Sequence, residues 1–211
     1  MSSRPLTTTS YAILGLLAIQ PWSTYELAQL MKRSMHFFWP RAESNLYAEP
    51  KRLVEAGLAT AEVTWNGDRK RTVYSITSEG SDTLRHWLSD EPAPQRLESE
   101  PALRLLYGNL GSRADLQAVI ARVAADAEEL VALFRELAEE ITRGEARFPD
   151  RMHVNTLVMT LLVDQARVAS RWAEWAAGEV EAWTDTSKPD VEWTLRVLRR
   201  MLDGQPVSDA T

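Results

Sequence analysis

The amino-acid sequence predicts a mainly α-helical fold with one small β-hairpin, divided into two domains. Short helical segments followed by two β-rich segments predict the first domain, at residues 1–90. Long apolar repeats at helical spacing predict an all-helical second domain with long helices, at residues 91–211. Pro92 and Pro94 lie in the polar stretch between them and mark the boundary.

The composition is that of a soluble globular protein. Hydrophobic residues make up 45% of the 211 positions and charged residues 26%. The absence of cysteine excludes disulfides and thiolate zinc sites. The apolar run at 11–19 is too short to span a bilayer, and no small-residue cleavage site follows it. A cytoplasmic location without membrane contact is therefore expected.

The net charge of −6 is unevenly distributed along the chain. Residues 1–90 carry 10 Lys and Arg against 9 Asp and Glu, whereas residues 91–211 carry 14 against 21. The overall acidity therefore does not argue against nucleic-acid binding by the first domain. The acidic second half fits a module that faces protein or solvent.

Two helices are predicted at the start of the first domain. Thr9 or Ser10 is the predicted N-cap of the first, which ends before Pro21. Ser23 precedes the second, and Glu26 follows at the spacing of a capping box.

A third helix is predicted from about 42 to 56, ended by Gly57. Pro50 lies inside this span and is expected to remove one helical hydrogen bond and bend the helix. Residues 59–65 and 72–77 then favour two strands joined by Asn66-Gly67-Asp68, a strong hairpin signal. Three helices and a hairpin together predict a winged helix-turn-helix.

Four helices are predicted in the second domain, at about 98–107, 112–143, 149–183 and 190–202. The second of them carries an uninterrupted heptad seam: Leu116, Ile120, Val123, Ala127, Leu130, Phe134, Leu137 and Ile141. The third repeats the spacing with one polar interruption: Val154, Val158, Leu161, Gln165, Val168, Trp172 and Trp175. Two interpretations stay open, a hairpin closed within one chain and packing on a second chain. A homodimer is favoured, because an isolated two-helix hairpin leaves apolar surface in water.

The order and spacing of several short pieces resemble the PadR family of transcriptional regulators. The pieces are 10–17 (SYAILGLL), 25–27 (YEL), 38–39 (FW), 45–47 (NLY), 51–53 (KRL), 57–58 (GL), 71–77 (RTVYSIT) and Gly80. The resemblance implies a DNA-binding repressor with a two-fold symmetric operator and a C-terminal dimerisation region. In many members it also implies release by a small molecule. Thr24 and Pro50 depart from the family pattern, which has glycine and leucine at these positions.

Candidate DNA-contacting residues lie on the second and third helices and on the wing. With the resemblance, the third helix is the recognition helix, as in other helix-turn-helix proteins. It offers the amide of Asn45 to base edges, and other groups to phosphate or base. The wing carries three adjacent cations suited to a phosphate backbone or a minor groove. The candidates are Tyr25, Ser44, Asn45, Tyr47, Lys51, Arg52, Arg69, Lys70 and Arg71.

Eight tryptophans are many for this length, and core packing is the default expectation for Trp39, Trp87, Trp172 and Trp175. Some members of the family bind flat aromatic ligands between the winged and helical domains. Phe38 and Trp39 are the candidate contacts for such an effector.

No catalytic site, cofactor or metal site is expected. His36, His86 and His153 are isolated in the sequence, and no phosphate loop, dinucleotide fingerprint or nucleophile elbow is present. The alternative function is a winged-helix protein–protein interaction module without specific DNA readout. The salt dependence of binding distinguishes the two functions, because phosphate contacts weaken steeply with ionic strength and helix-on-helix packing does not.

Overall fold

The computed structural model describes residues 5–35, 37–39, 47–67, 69–188 and 190–205. The chain divides into two compact units, 1–95 and 96–211. The division falls five residues after the boundary predicted from the two prolines.

The first unit consists of short helices and a small sheet. In chain order the described elements are α1 (Thr8–Leu17), β1 (Trp22–Ser23), α2 (Thr24–Ser34), α3 (Glu49–Glu55), β2 (Ala59–Asn66), β3 (Arg69–Ile76) and α4 (Ser78–Ser89). The predicted first turns of the third helix, at 42–46, lie outside the described residues.

Side-chain caps begin the first two helices. Ser23 and Glu26 form the predicted capping box of α2, with the Ser23 N–H donating to Glu26 Oε2 over 2.8 Å. The expected cap of α1 is wrong by two or more residues. Thr7 is the N-cap, and Ser10 is its capping-box partner at the third helical position. Ser10 thus takes part in the cap from inside the helix.

Pro50 does not bend a helix, so that prediction is wrong. The helix α3 begins at Glu49, which places Pro50 in its first turn. The backbone N–H groups of a first turn have no intrahelical acceptor, so proline removes no bond there. Leu53 is buried.

The sheet has three antiparallel strands in the order β1-β3-β2. The register pairs Asn66 with Arg69 at the turn of the predicted hairpin, where Gly67 has a φ of +59°. The strand β1 was not predicted, because two residues are too short to show alternation. It pairs Ser23 with Val73 and so joins the start of α2 to the wing.

The core of the first unit collects apolar side chains from α1, α2, α3 and the sheet. The Trp22 indole N–H donates to the Leu16 carbonyl over 2.9 Å. Tyr11 stacks on Trp87 with ring centroids 4.7 Å apart, so α4 packs on α1. A Cβ at Gly80 would lie 2.1 Å from the Leu58 carbonyl oxygen, which explains glycine at this close approach.

The second unit consists of helices in its described part. They are α5 (Glu100–Leu106), α6 (Arg113–Thr142), α7 (Met152–Ala182) and α8 (Val191–Leu202). Single-turn 3-10 helices lie at Gly108–Leu110 and Pro149–Arg151. All four predicted helices are present, with boundaries within three residues of those predicted.

The helices α6 and α7 are antiparallel neighbours. Near the start of α6, Gln117 Nε2 donates to the Ala177 carbonyl over 3.0 Å. Leu116 and Ile120 pack there against Ala173, Ala176 and Val180 of α7. The described helices include none that is long and apolar enough to cross a membrane.

The two heptad seams have different environments within the chain. On α6, four seam residues are buried, namely Leu116, Ile120, Ala127 and Phe134. On α7, the buried residues are Leu162, Ala166, Ala173, Ala176 and Val180, none of which belongs to the predicted seam. The α7 seam residues Val154, Val158, Leu161 and Val168 are exposed. Within the chain, α6 therefore packs on a face of α7 that lies next to the predicted seam.

Candidate nucleic-acid interface

The start of α2 and the wing lie side by side in the first unit. The β1–β3 pairing brings Tyr25 and Glu26 close to the end of the wing that carries Arg71. Tyr25 is 69% exposed, and its hydroxyl accepts a hydrogen bond from Gln29 over 3.2 Å. A first-turn hydroxyl in this position can donate to a phosphate beside the helix N-terminus.

The cations of the wing point to opposite faces of the hairpin. Arg71 is paired with Thr64, and Lys70 with Trp65. Since successive strand residues alternate in direction, Arg71 and Lys70 belong to different faces. The Arg71 guanidinium lies 4.0 Å from Glu26 and donates to Thr64 Oγ1 over 3.1 Å. Lys70 is exposed on the other face, and Arg69 pairs with Asn66 at the turn.

Trp65 is a further exposed residue of the wing that the sequence analysis did not single out. Its side chain is 68% exposed, and Val63 on the same face is also exposed. An exposed tryptophan is unusual, because indole rings are on average highly buried. The sequence contained a signal for this shared face, because Val63 and Trp65 occupy alternate positions of the predicted strand. Side chains at alternate positions lie on the same face of a strand.

The helix α3 presents a second group of candidate residues. Tyr47, just before the helix, is 66% exposed, and Lys51 is exposed one turn further on. Together with Ala48, Arg52 and Glu55 they line a shallow depression of about 510 Å³. Ser44 and Asn45, the other two candidates on this segment, lie outside the described residues.

Arg52 is engaged within the chain. Its Nη1 lies 3.2 Å from Glu49 Oε2, and its Nη2 donates to the Pro5 carbonyl over 2.8 Å. Glu49 is buried and also accepts a hydrogen bond from the Ser10 hydroxyl. This contact between α1 and α3 was not predicted, because Ser10 and Glu49 are 39 positions apart and neither belongs to a recognisable motif.

A family model described as the transcriptional regulator PadR-like family matches residues 13–86. The match begins inside α1 and ends inside α4, so it takes in α2, α3 and the whole sheet of the first unit. The winged domain belongs to the PadR-like family. The resemblance read from the sequence is thereby confirmed for this domain.

Two bacterial proteins show how far the likeness extends beyond this domain. The negative transcriptional regulator PadR of Bacillus subtilis (strain 168) is 26% identical over 170 residues, covering 78% of this chain and 92% of that protein. Its crystal structure with operator DNA matches with a TM-score of 0.69 at 24% identity, over 82% of this chain and 99% of that one. Its complex with p-coumaric acid matches with a TM-score of 0.62 at 22% identity, over 83% and 99%.

The PadR-like transcriptional regulator BC1756 from Bacillus cereus matches with a TM-score of 0.71 at 18% identity, over 85% of this chain and 99% of that one. These structural matches cover the long C-terminal helices as well as the PadR-like domain. The predicted fold class, mainly α with a small β-wing, is therefore confirmed.

The remaining candidate residues are less clearly grouped. Phe38 is exposed, and Trp39 is partly buried just after α2. The next residues of the chain, 40–46, are not described, so these two aromatic residues stay predicted effector contacts. Within the described part of the chain, no group of three or more His, Asp or Glu side chains is arranged to hold a metal ion.

Proposed function

We propose that this protein is a sequence-specific DNA-binding transcriptional regulator that represses its target genes. It acts as a homodimer on a two-fold symmetric operator and is released by a small molecule. The PadR-like domain supports the regulatory function, and the B. subtilis relative is named a negative regulator and was solved with operator DNA. The same relative was solved with p-coumaric acid, which supports an aromatic effector.

The observation that carries the proposal is the exposure of phosphate-binding groups on consecutive elements of the PadR-like domain. Tyr25 lies in the first turn of α2, Tyr47 and Lys51 flank the start of α3, and Lys70 and Arg71 lie on the wing. Phenol hydroxyls and cations are the groups that bind DNA phosphates, and they set the register of a helix in the groove. The recognition helix then supplies base contacts, with Asn45 and Ser44 as the sequence-based candidates.

The homodimer is supported by the exposed seam of α7. Four apolar residues of the seam are exposed within the chain, and Leu161 among them is 58% exposed. Leu157 lies beside them and is exposed as well. A continuous apolar stripe on a long helix is typical of a protein–protein interface. A second copy with the same stripe satisfies the two-fold symmetry that a palindromic operator requires.

We assign no catalytic activity to the chain, because a regulator of this family acts by occupying DNA. Its place of action is the compartment that holds the DNA, which is the cytoplasm in bacteria such as those of the relatives.

The operator is found by selection from a pool of genomic duplexes, followed by titration of the enriched sequence and a scrambled duplex. Wild-type protein is expected to prefer the enriched duplex and to lose affinity steeply as salt rises. The double variant Lys51→Ala/Lys70→Ala tests whether the exposed lysines of α3 and the wing bind DNA. Arg85→Ala, which removes a cation paired with Asp82 on α4, is its charge control.

The proposal fails if no sequence is enriched. It also fails if affinity for DNA does not respond to salt, because phosphate contacts are then absent. Equal losses of binding free energy per charge removed in the double variant and in Arg85→Ala would assign the binding to net charge alone.

A further inference from the structure

A cleft of about 890 Å³ lies entirely within the second unit. It is bounded by the end of α5, the first turns of α6, the last turns of α7 and the start of α8. Small-molecule sites in proteins typically measure about 300–1,000 Å³, so the cleft has the size of such a site. It uses neither Phe38 nor Trp39 and is distinct from the predicted effector contacts.

Four of the eight tryptophans line this cleft: Trp172, Trp175, Trp183 and Trp193. Trp183 and Trp193 meet edge to face, with ring centroids 5.3 Å apart. Trp172, Trp175 and Trp183 also pack on the buried cluster between α6 and α7, which holds their positions. The buried indole N–H of Trp183 has no hydrogen-bond partner among the described residues.

The charged groups in the walls favour a cation over an anion. Glu179, Asp185 and Asp190 line the cleft, against Lys188 as the one lining cation among the described residues. Glu179 accepts a hydrogen bond from the Trp193 indole, and the exposed Arg196 lies 3.8 Å from it. Carboxylates still outnumber cations when Arg196 is included. The surrounding half of the chain is also acidic, with 21 Asp and Glu against 14 Lys and Arg over residues 91–211.

We propose that this cleft is a binding site for a planar organic cation, with indole rings on its faces and Glu179 as the counter-ion. An indole face attracts a cation through its quadrupole, and tryptophan is the strongest of the aromatic side chains in this respect. A carboxylate in the same wall adds a Coulomb term that is larger in a cleft than in water. Only 27% of the Glu179 side chain is exposed, so solvent screens its charge only partly.

The test uses a matched pair of ligands. N-methylacridinium and acridine have nearly the same planar shape, but only the first carries a fixed charge at mildly alkaline pH. Each is titrated into the full-length protein without DNA, by calorimetry and by quenching of tryptophan emission. We expect N-methylacridinium to bind roughly three- to thirtyfold more tightly than acridine, as the cation–π attraction implies. The anion p-coumarate is expected to bind more weakly than either at this cleft.

A matched pair of variants locates the site. Glu179→Gln keeps an acceptor for the Trp193 indole and removes the charge, and it is expected to weaken N-methylacridinium binding about two- to tenfold. Glu174→Gln makes the same charge change at an exposed position of α7 outside the cleft and is expected to leave binding unchanged. Trp193→Phe keeps an aromatic ring on α8. It is expected to lower the affinity for N-methylacridinium more than the affinity for acridine. Circular dichroism melts confirm that each variant is folded.

Three results overturn the proposal. They are equal affinities for the two ligands, equal losses in Glu179→Gln and Glu174→Gln, and absence of binding at millimolar ligand. Protection of the Trp193 ring from a neutral quencher in the ligand-free dimer, with loss of that protection on dissociation, also overturns it, because a second copy then fills the cleft. Since no DNA is present, these outcomes are independent of whether the protein recognises an operator.

Discussion

The Ser10 hydroxyl of α1 donates a hydrogen bond to the Glu49 carboxylate at the first position of α3, and both side chains are buried. Arg52 holds the other carboxylate oxygen over 3.2 Å and reaches the Pro5 carbonyl over 2.8 Å. The helix that carries Lys51 is thereby tied to α1 by a charged group inside the domain. Its position depends on polar contacts as well as on the burial of Leu53.

Replacing Ser10 with alanine is expected to lower the free energy of unfolding of the winged unit by about 1–3 kcal/mol, because a buried carboxylate oxygen loses its partner. Urea unfolding followed by circular dichroism measures the change. Ser10 also completes the cap of α1, so Thr7→Ala, which removes the cap hydroxyl alone, is the control. If Ser10→Ala costs no more than Thr7→Ala, the bond to Glu49 contributes nothing.

Replacing Arg69, Lys70 and Arg71 together with alanine is expected to weaken binding to all duplexes about equally. Losing up to three phosphate contacts per subunit lowers the slope of log affinity against log salt by up to ~2.7 per subunit. Because Lys70 and Arg71 lie on opposite faces, the single variants are expected to differ, with one of them accounting for more of the loss. An unchanged slope in the triple variant would mean that the wing points away from the duplex.

Base reading and phosphate binding are separated by two variants of the recognition segment. Asn45→Ala is expected to cost ~1–3 kcal/mol on the preferred operator and much less on scrambled DNA, because an amide pairs directionally with adenine. Lys51→Ala is expected to lower both affinities together, since an ammonium on phosphate discriminates little. Paired titrations at one salt concentration measure both. Equal losses on the two duplexes for Asn45→Ala would assign that residue to phosphate or to structure.

Introducing a charge into the exposed seam of α7 is expected to dissociate the dimer. Leu161→Glu places a carboxylate in the stripe and next to its copy on the partner, so burial on a second chain becomes costly. Thr160→Glu makes a similar change one position away, off the stripe, and is expected to leave a dimer. Sedimentation velocity at micromolar concentration distinguishes the two. A wild-type monomer, or a Leu161→Glu dimer as tight as wild type, contradicts this interface.

The start of α6 is expected to lose stabilisation in acid. Hydrogen bonds from the Ser112 backbone N–H and then from its hydroxyl hold the pKa of Asp115 below its ordinary value of 3.8. A carboxyl whose pKa is lower in the folded state stabilises it above the unfolded pKa, and the effect is lost as pH falls through the folded pKa. The stability difference between wild type and Asp115→Asn, measured by thermal melts, should therefore shrink below about pH 4. A difference that is constant across this window would contradict the role of the charge.

Local patterns were sufficient for the elements whose signals lie within a few residues. The Ser23–Glu26 spacing predicted the start of α2, because a cap is made by side chains of one turn. Asn66-Gly67 predicted the hairpin, since glycine accepts the positive φ that the turn needs. The position of Pro50 was misjudged because the sequence does not show at which residue a short helix begins.

The long seams predicted two long helices, but only the tertiary structure decided which faces meet within the chain. A heptad repeat predicts that an apolar stripe packs against another helix. It does not indicate whether that helix is α6 of the same chain or belongs to a second copy. The packing of Leu116 and Ile120 on Ala173 and Ala176 leaves four seam residues of α7 exposed, which favours their use between chains.

The sequence by itself determined the fold class, the PadR-like resemblance and the candidate DNA-contacting residues, because these depend on local periodicity and on the order of short motifs. The tertiary structure decided that Arg52 is tied to Glu49 and Pro5, that Lys70 and Arg71 face opposite ways, and that four tryptophans share one cleft with Glu179. Each of these is a contact or a direction between residues set by packing and strand register. Such relations become visible only when the chain is folded.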